Sequence, residues 1–218
     1  MKFLLTSSGI KNNSIAQTII ELVGTEREKI RAIYIPTAAN VELGDKGWLI
    51  DDLHDFQMQD YESVDIIDIA AVPREVWQPR LESANLICFG GGNEQFLARV
   101  MRESGFAAIA KDILKERVYM GISAGSMVAG TFLPKEVLEI VYPEQTFQKV
   151  LEQPLGLVDC SFIPHFNSPW FPKIKKEVID ALPGTTSPLY VLDDQSALKI
   201  VDGKIEVVSE GTYIQHNS

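Results

Sequence analysis

Residues 118–130 read VYMGISAGSMVAG, a short apolar strand followed at once by small residues that are compatible with a helix. At the centre of this stretch, Gly121, Ser123 and Gly125 form the pattern Gly-x-Ser-x-Gly. A serine at the tip of a sharp strand-to-helix turn needs slim neighbours two positions away on each side, because backbone and helix pass close by. The stretch therefore predicts a buried strand, a tight turn that exposes the Ser123 hydroxyl, and a helix behind it.

Short apolar runs alternate with amphipathic segments along the rest of the chain, a pattern typical of βαβ units and a mostly parallel sheet. We predict strands at residues 2–6, 32–36, 64–69, 85–89, 118–122 and 160–163, and helices at residues 14–23, 48–58, 94–102 and 106–117. Towards the end, residues 189–192, 197–201 and 204–208 indicate an antiparallel meander with a hairpin turn at Asp202 and Gly203. A length of 218 residues without a linker or repeat fits a single α/β domain over residues 1–218.

The composition is that of an ordinary globular protein, with 45% hydrophobic and 23% charged residues. A formal net charge of −10 would repel nucleic acid and anionic membrane surfaces, so we expect neither as a partner. No apolar run approaches the ~20 residues that cross a bilayer. Cys88 and Cys160 lie in apolar runs outside any metal-ligand spacing, which predicts buried thiols in a reducing compartment and a cytoplasmic protein.

A serine hydroxyl is a weak nucleophile and needs a neighbouring base. The chain has three histidines. We assign His54 to a charged surface helix and His216 to the frayed end of the chain. His165 directly follows the strand at residues 160–163, at the sheet edge where open α/β proteins gather their sites. The sequence therefore predicts a serine hydrolase in which His165 activates Ser123.

Attack by serine on a carbonyl creates an oxyanion, which needs hydrogen-bond donors that are already in place. In turns of this type one donor is the backbone N–H after the nucleophile, here Ala124. The glycine run at residues 90–92 ends the fourth predicted strand and is the candidate for a second donor, with a plain tight turn as the alternative.

Three segments together resemble the dipeptidase E and cyanophycinase family of serine peptidases. They are Phe89-Gly90-Gly91-Gly92-Asn93, Gly121-Ile122-Ser123-Ala124-Gly125-Ser126 and Pro164-His165-Phe166. The stretch at residues 193–198 also resembles the acidic turn that precedes the family's last strands. The resemblance implies a flavodoxin-like three-layer α/β sandwich of the class I glutamine amidotransferase type. It further implies Ser123 as nucleophile, His165 as base, Gly92 and Ala124 as oxyanion donors, and cleavage of short peptides or aspartyl dipeptides without a cofactor or metal.

The third member of the charge relay departs from the family pattern, which places an acidic residue about fifteen to twenty positions beyond the serine. Glu139 is our first candidate there and Glu136 the second, while Asp159 is a third because it lies near His165 in the chain. The family's arginine- and threonine-rich stretch after the turn reads Phe132-Leu133-Pro134-Lys135 here. Lys135 is then the single cation available in that stretch for an aspartyl substrate.

Two other functions use the same features. An α/β-hydrolase esterase shares the Gly-x-Ser-x-Gly turn, but its histidine comes near the end of the chain after a separate acid. A non-catalytic amidotransferase-like domain would bind a small ligand. Scattered histidines offer no metal site, and the glycine run lacks the spacing of a dinucleotide fingerprint. The expected partner is a small peptide substrate, and a homodimer is the commonest assembly for such enzymes.

Overall fold

The computed structural model describes residues 1–216, and within them ten strands and eight α-helices form. The strands are β1 (Lys2–Thr6), β2 (Arg31–Ile35), β3 (Ser63–Ile66), β4 (Leu86–Phe89), β5 (Val118–Ile122), β6 (Ser161–Ile163), β7 (Leu189–Leu192), β8 (Ser196–Val201), β9 (Lys204–Ser209) and β10 (Tyr213–His216). The helices are α1 (Asn13–Val23), α2 (Gly47–Gln57), α3 (Arg74–Ser83), α4 (Glu94–Glu103), α5 (Phe106–Ile113), α6 (Ala124–Ala129), α7 (Lys135–Val141) and α8 (Lys176–Ile179). None of the helices in this described part has the length and apolar character needed to span a bilayer.

A seven-stranded sheet in the order β3-β2-β4-β5-β1-β8-β9 forms the centre of the molecule. The first five of these strands are mutually parallel, while β8 and β9 extend the sheet in antiparallel fashion at one edge. The register pairs Thr6 with Ile122 and Phe89 with Gly121, so β1, β4 and β5 end side by side. Loops that follow these three strands therefore meet at one edge, where α/β sheets place their sites.

Helices cover both faces of this sheet, because successive side chains of a strand point to opposite faces. In β1, Phe3 and Leu5 pack into one hydrophobic cluster, together with residues of α3 to α6. Leu4 packs into a second cluster with residues of α1 and α2. The two clusters are the two interfaces of a three-layer sandwich, which confirms the predicted mostly parallel α/β architecture.

The C-terminal segment differs from the predicted meander. Strands β8 and β9 do form the expected hairpin, with Asp202 and Gly203 at positive φ in its turn. Strand β7 instead joins a separate three-stranded sheet, parallel to β6 and antiparallel to β10. All four residues of β7 are buried, and pairing on both sides satisfies their backbone groups away from the large sheet. As a result, the carboxyl ends of β6 and β7 lie next to each other.

Helices α3, α7 and α8 were not predicted, and one predicted helix ends earlier than expected. Helix α3 buries only Trp77 and Leu81 and carries Pro79 in its interior, which weakens the helical signal in the sequence. The predicted helix at residues 106–117 ends at Ile113, where the chain turns into the loop that leads to β5. None of these differences moves the loops that follow β1, β4 and β5.

Candidate active site

Ser123 is the single residue between the end of β5 and the start of α6, and its backbone conformation is strained. Its φ of 49° and ψ of −108° lie outside the regions that non-glycine residues ordinarily occupy. Strain of this kind persists only where the surroundings hold it. The Ser123 N–H donates to the carbonyl of Thr6 over 3.1 Å, and the Ser123 carbonyl accepts from Met127 over 3.0 Å, which opens α6. The turn is thus anchored on both sides of the serine.

The two glycines of the motif are required by close backbone contacts. A Cβ on Gly121 would come within 2.6 Å of the backbone nitrogen of Ser126. A Cβ on Gly125 would come within 2.0 Å of the carbonyl oxygen of Phe89. Both distances fall far below van der Waals contact, and the atoms met are backbone atoms that cannot turn aside. The predicted reason for the Gly-x-Ser-x-Gly spacing is therefore the observed one.

The structure brings Ser123 and His165 together across 42 positions of the chain. The Oγ of Ser123 lies 3.0 Å from Nε2 of His165, and Nδ1 of the same ring lies 2.8 Å from Oδ1 of Asp194. In the tautomer that carries its proton on Nδ1, the ring donates to Asp194 and accepts the hydroxyl proton of Ser123. This is the arrangement of a nucleophile, a base and a carboxylate that orients the base.

Asp194 follows β7 and is held by a second hydroxyl. Ser7 donates its Oγ–H to Asp194 Oδ1 over 2.9 Å. Partial burial acts to raise the pKa of Asp194, but the hydrogen bonds from His165 and Ser7 and the positive charges of His165 and Lys11 outweigh it. The net result is a pKa below the ordinary aspartate value, so this carboxylate is ionised at neutral pH. A negative charge at this position favours the protonated imidazole that forms when the ring accepts a proton.

The glycine turn after β4 borders Ser123. A Cβ on Gly91 would lie 3.6 Å from Cβ of Ser123. Gly92 has a φ of 128°, and a Cβ there would meet the carbonyl oxygen of Ala38 at 2.3 Å, so this position accepts only glycine. Within residues 1–216, the N–H groups of Gly91, Gly92 and Ala124 have no hydrogen-bond acceptor. They are available to a bound oxyanion.

Aromatic side chains lie beside His165 and beside the turn that borders Ser123. The Phe171 ring stacks on the His165 ring, with centroids 4.4 Å apart and planes within 6°. The point at which a Gly91 Cβ would lie is also 3.6 Å from Cζ3 of Trp48, so the indole flanks the same turn as Ser123. Trp48 is 38% exposed and Trp170, next to Phe171, is 84% exposed. Neither tryptophan belongs to the core, unlike the fully buried Trp77.

Comparison with known proteins adds the family. The family model described as "Peptidase family S51" matches residues 3–208. The chain belongs to peptidase family S51. It is therefore a peptidase of the serine type, which confirms the family resemblance of the motifs and the predicted hydrolase class.

Other peptidases resemble this chain in sequence or in structure. The chain is 26% identical over 179 residues to an uncharacterised peptidase of Pasteurella multocida, which covers 80% of this chain and 83% of that protein. A crystal structure of a protein named after peptidase E, from Listeria monocytogenes, superposes with a TM-score of 0.77 at 20% identity, over 96% of this chain and 98% of that one. The structure of a peptidase from an acI-B1 actinobacterium gives a TM-score of 0.64 at 23% identity, over 100% and 94%. These likenesses confirm the predicted fold class.

The S51 chain does not bring Glu139 to His165, contrary to the sequence-based expectation. Glu139 is exposed and pairs with Lys135 on the same helix, at 3.4 Å, and Glu136 is also exposed. Helix α7 buries its apolar face and leaves both glutamates on the solvent side. Asp159 accepts instead from Ser187 over 3.2 Å. The carboxylate at the imidazole is Asp194.

The remaining titratable candidates of this S51 protein lie away from the site. His54 is exposed, as expected, whereas His216 is part of β10 and lies 3.9 Å from Asp180. Cys88 and Cys160 are free and buried, as predicted. Among the described residues, no group of three or more His, Cys, Asp or Glu side chains is arranged to hold a metal ion.

Sequence reasoning missed two groups at the site, Asp194 and Ser7. The acidic turn at residues 193–198 was noted for its likeness to the family, and its position just after an apolar strand is the signal that could have placed Asp194 at a strand end. Ser7 likewise follows β1 directly, at the same edge as Ser123. Both residues follow the carboxyl ends of strands, which is where open α/β proteins collect their functional side chains.

Proposed function

We propose that this S51 protein hydrolyses short peptides through an acyl-enzyme formed on Ser123. Oγ of Ser123 attacks the scissile carbonyl carbon while its proton passes to Nε2 of His165. The tetrahedral intermediate then collapses, the C–N bond breaks, and the imidazolium returns the proton to the leaving amine. A water molecule attacks the resulting ester by the same route in reverse, releases the acid product and restores the Ser123 hydroxyl.

The observation that carries this proposal is the unbroken series of contacts from Ser123 Oγ to His165 Nε2 and from His165 Nδ1 to Asp194, at 3.0 and 2.8 Å. Asp194 has the role that the sequence-based reasoning gave to Glu139. It fixes the ring tautomer and stabilises the imidazolium without taking the proton itself.

Backbone donors would stabilise the oxyanion. Ala124 begins α6, where unpaired N–H groups favour negative charge, and Gly92 lies in the adjacent glycine turn. Gly91 borders Ser123 and, like these two residues, has an N–H group without an acceptor in the described part of the chain. We propose Ala124 and Gly92 as the donor pair, as the family resemblance implies.

The substrate side chain is argued from Lys135, the cation that the sequence offered to an aspartate. Lys135 is paired with Glu139 on the same helix, at 3.4 Å. Because this partner already balances its charge, we propose short peptides without a preference for aspartate.

Labelling with a fluorophosphonate probe tests the nucleophile directly. We expect a single phosphonylated peptide that contains Ser123, no labelling of Ser123→Ala, and at least a hundredfold slower labelling of His165→Ala. Ser126→Ala is the matched control, because Ser126 is the other hydroxyl of the turn and donates to the Thr6 carbonyl over 2.7 Å. Its labelling should persist. A Ser123→Ala protein that still cleaves alanyl, aspartyl or lysyl p-nitroanilides at the wild-type rate would remove Ser123 from the mechanism.

The same probe and chromogenic substrates distinguish the two alternatives, an esterase and a non-catalytic ligand-binding domain. An α/β-hydrolase would have its acid before its histidine, whereas the order here is Ser123, His165, Asp194. An esterase would cleave p-nitrophenyl esters and spare peptide amides. A ligand-binding domain would leave Ser123 unlabelled.

A further inference from the structure

Ser7 is a fully buried serine that lies at the carboxyl end of β1, immediately after Thr6. Its side-chain oxygen makes two hydrogen bonds at once. It donates to Oδ1 of Asp194 over 2.9 Å and accepts the backbone N–H of His165 over 2.7 Å. Both partners belong to the pair that faces Ser123, although the three residues come from three separate segments of the chain.

The contacts of Ser7 close a ring around the imidazole. The Asp194 oxygen that accepts from Ser7 is the same Oδ1 that faces Nδ1 of His165. Starting at Ser7 Oγ, the ring runs through Asp194 Oδ1 and the imidazole to the His165 backbone and returns to Ser7. Each bond restricts the others, because a carboxylate that rotates away from the ring would also lose the Ser7 hydroxyl.

His165 needs this support because its backbone is strained. Its φ of 67° is in the left-handed region, which costs a non-glycine residue roughly 1 kcal/mol or more. The bond from its N–H to Ser7 holds that conformation, and the stack on Phe171 holds the ring plane. Ser7 itself is held by β1, whose neighbour β5 carries Ser123. The serine therefore ties the base to the strand beside the nucleophile.

We propose that Ser7 is a positioning residue, which aligns Asp194 and His165 with Ser123 through this hydroxyl bridge. The inference rests on the proposed function, since it assigns a role in activating Ser123. Ser7 takes no part in proton transfer to the substrate. Its contribution is the alignment of the carboxylate and the base, and a misplacement of about 1 Å can cost roughly a hundredfold in rate.

The experiment measures the second-order rate constant for fluorophosphonate labelling of Ser123, which reports activation of the nucleophile without a known substrate. We expect Ser7→Ala to label about 10- to 100-fold more slowly than wild type. Ser7→Thr keeps the hydroxyl and should recover most of the rate. Ser161→Ala is the matched control, because Ser161 is also a buried serine with one side-chain partner, Thr131, at 2.9 Å. It should label at the wild-type rate.

A double-mutant cycle separates positioning from a general loss of packing. If Ser7 acts through Asp194, adding Ser7→Ala to Asp194→Ala, which leaves the Ser7 hydroxyl no side chain to align, should slow labelling clearly less than Ser7→Ala does in the wild-type background. Independent structural damage would instead multiply the two losses. Threonine at position 7 adds a methyl group to a buried site and can prevent folding. The cycle uses only smaller side chains, so it decides the question even if Ser7→Thr does not fold.

Three results would overturn the proposal. They are wild-type labelling of Ser7→Ala, equal loss in folded Ser7→Ala and Ser7→Thr, and multiplicative losses in the cycle. Failure of the proposed function has a different signature, since Ser123 would not be labelled in the wild-type protein at all. That outcome would overturn both ideas, whereas normal labelling with an indifferent Ser7 would overturn only this one.

Discussion

Replacement of Asp194 by asparagine is the sharpest single test of the site. Oδ1 of Asp194 accepts from both His165 and Ser7, at 2.8 and 2.9 Å. An asparagine with its oxygen at the Oδ1 position would keep both bonds without the negative charge, whereas one with its NH2 group at that position presents a donor to the ring. That contact favours the tautomer with the proton on Nε2, which cannot accept a proton from Ser123. The corresponding change in a serine-protease triad lowers kcat about 10⁴-fold, which at 1.36 kcal/mol per tenfold is about 5 kcal/mol.

The assay is p-nitroanilide turnover together with the labelling rate of Ser123, with thermal unfolding to show that each variant is folded. Glu139→Gln is the matched control, because it removes an exposed carboxylate whose ion pair with Lys135 is worth only about 0.3–0.5 kcal/mol. We expect Glu139→Gln to stay within twofold of wild type in rate. The reasoning is refuted if Asp194→Asn keeps more than about a tenth of the activity while Glu139→Gln loses most of it.

Three further predictions concern the surroundings of the site. Gly125→Ala places a Cβ 2.0 Å from the Phe89 carbonyl oxygen. We therefore expect the free energy of unfolding to fall by at least about 2 kcal/mol and the labelling of Ser123 to be lost. A variant as stable as wild type in urea would contradict the contact. Burial raises the pKa of Asp52 to about 7 from 3.8; stability should fall as pH rises through this window, because only the native carboxyl keeps its proton there. In urea titrations, the free energy of unfolding of Asp52→Asn should therefore rise relative to that of wild type by up to about 3 kcal/mol between pH 5 and pH 8. A difference between the two proteins that does not change with pH would refute the raised pKa. Phe171→Leu removes the face that holds the His165 ring and should slow labelling about 2- to 10-fold, with an unchanged rate as the contrary result.

The nucleophile and its turn were predictable because the motif that marks them is local. The atom that excludes a side chain at Gly121 belongs to Ser126 in the same turn, whereas the atom that excludes one at Gly125 belongs to Phe89 at the end of β4. His165 was found by elimination among three histidines and by its position after an apolar strand. Gly92 was placed in the turn by its neighbours, although the approach of Ala38 that demands glycine comes from a distant loop.

The acidic partner was not predictable in the same way. Glu139 lies at the expected distance along the chain, but an amphipathic helix turns it towards solvent. Asp194 reaches His165 because β7 leaves the expected meander and pairs with β6, a choice made by burial of both strands in a separate sheet. No periodicity within residues 189–192 distinguishes these two pairings, since a buried strand is apolar in either sheet.

The sequence by itself determined the mostly parallel α/β layers, the strained serine turn and the class of chemistry, because each follows from patterns within a few residues of one another. Only the tertiary structure decided which carboxylate faces the base and that Ser7 bridges both. Those contacts join strand ends that lie far apart in the chain. Their distances depend on how strands pair and on which faces become buried, and both are settled by packing of the whole molecule.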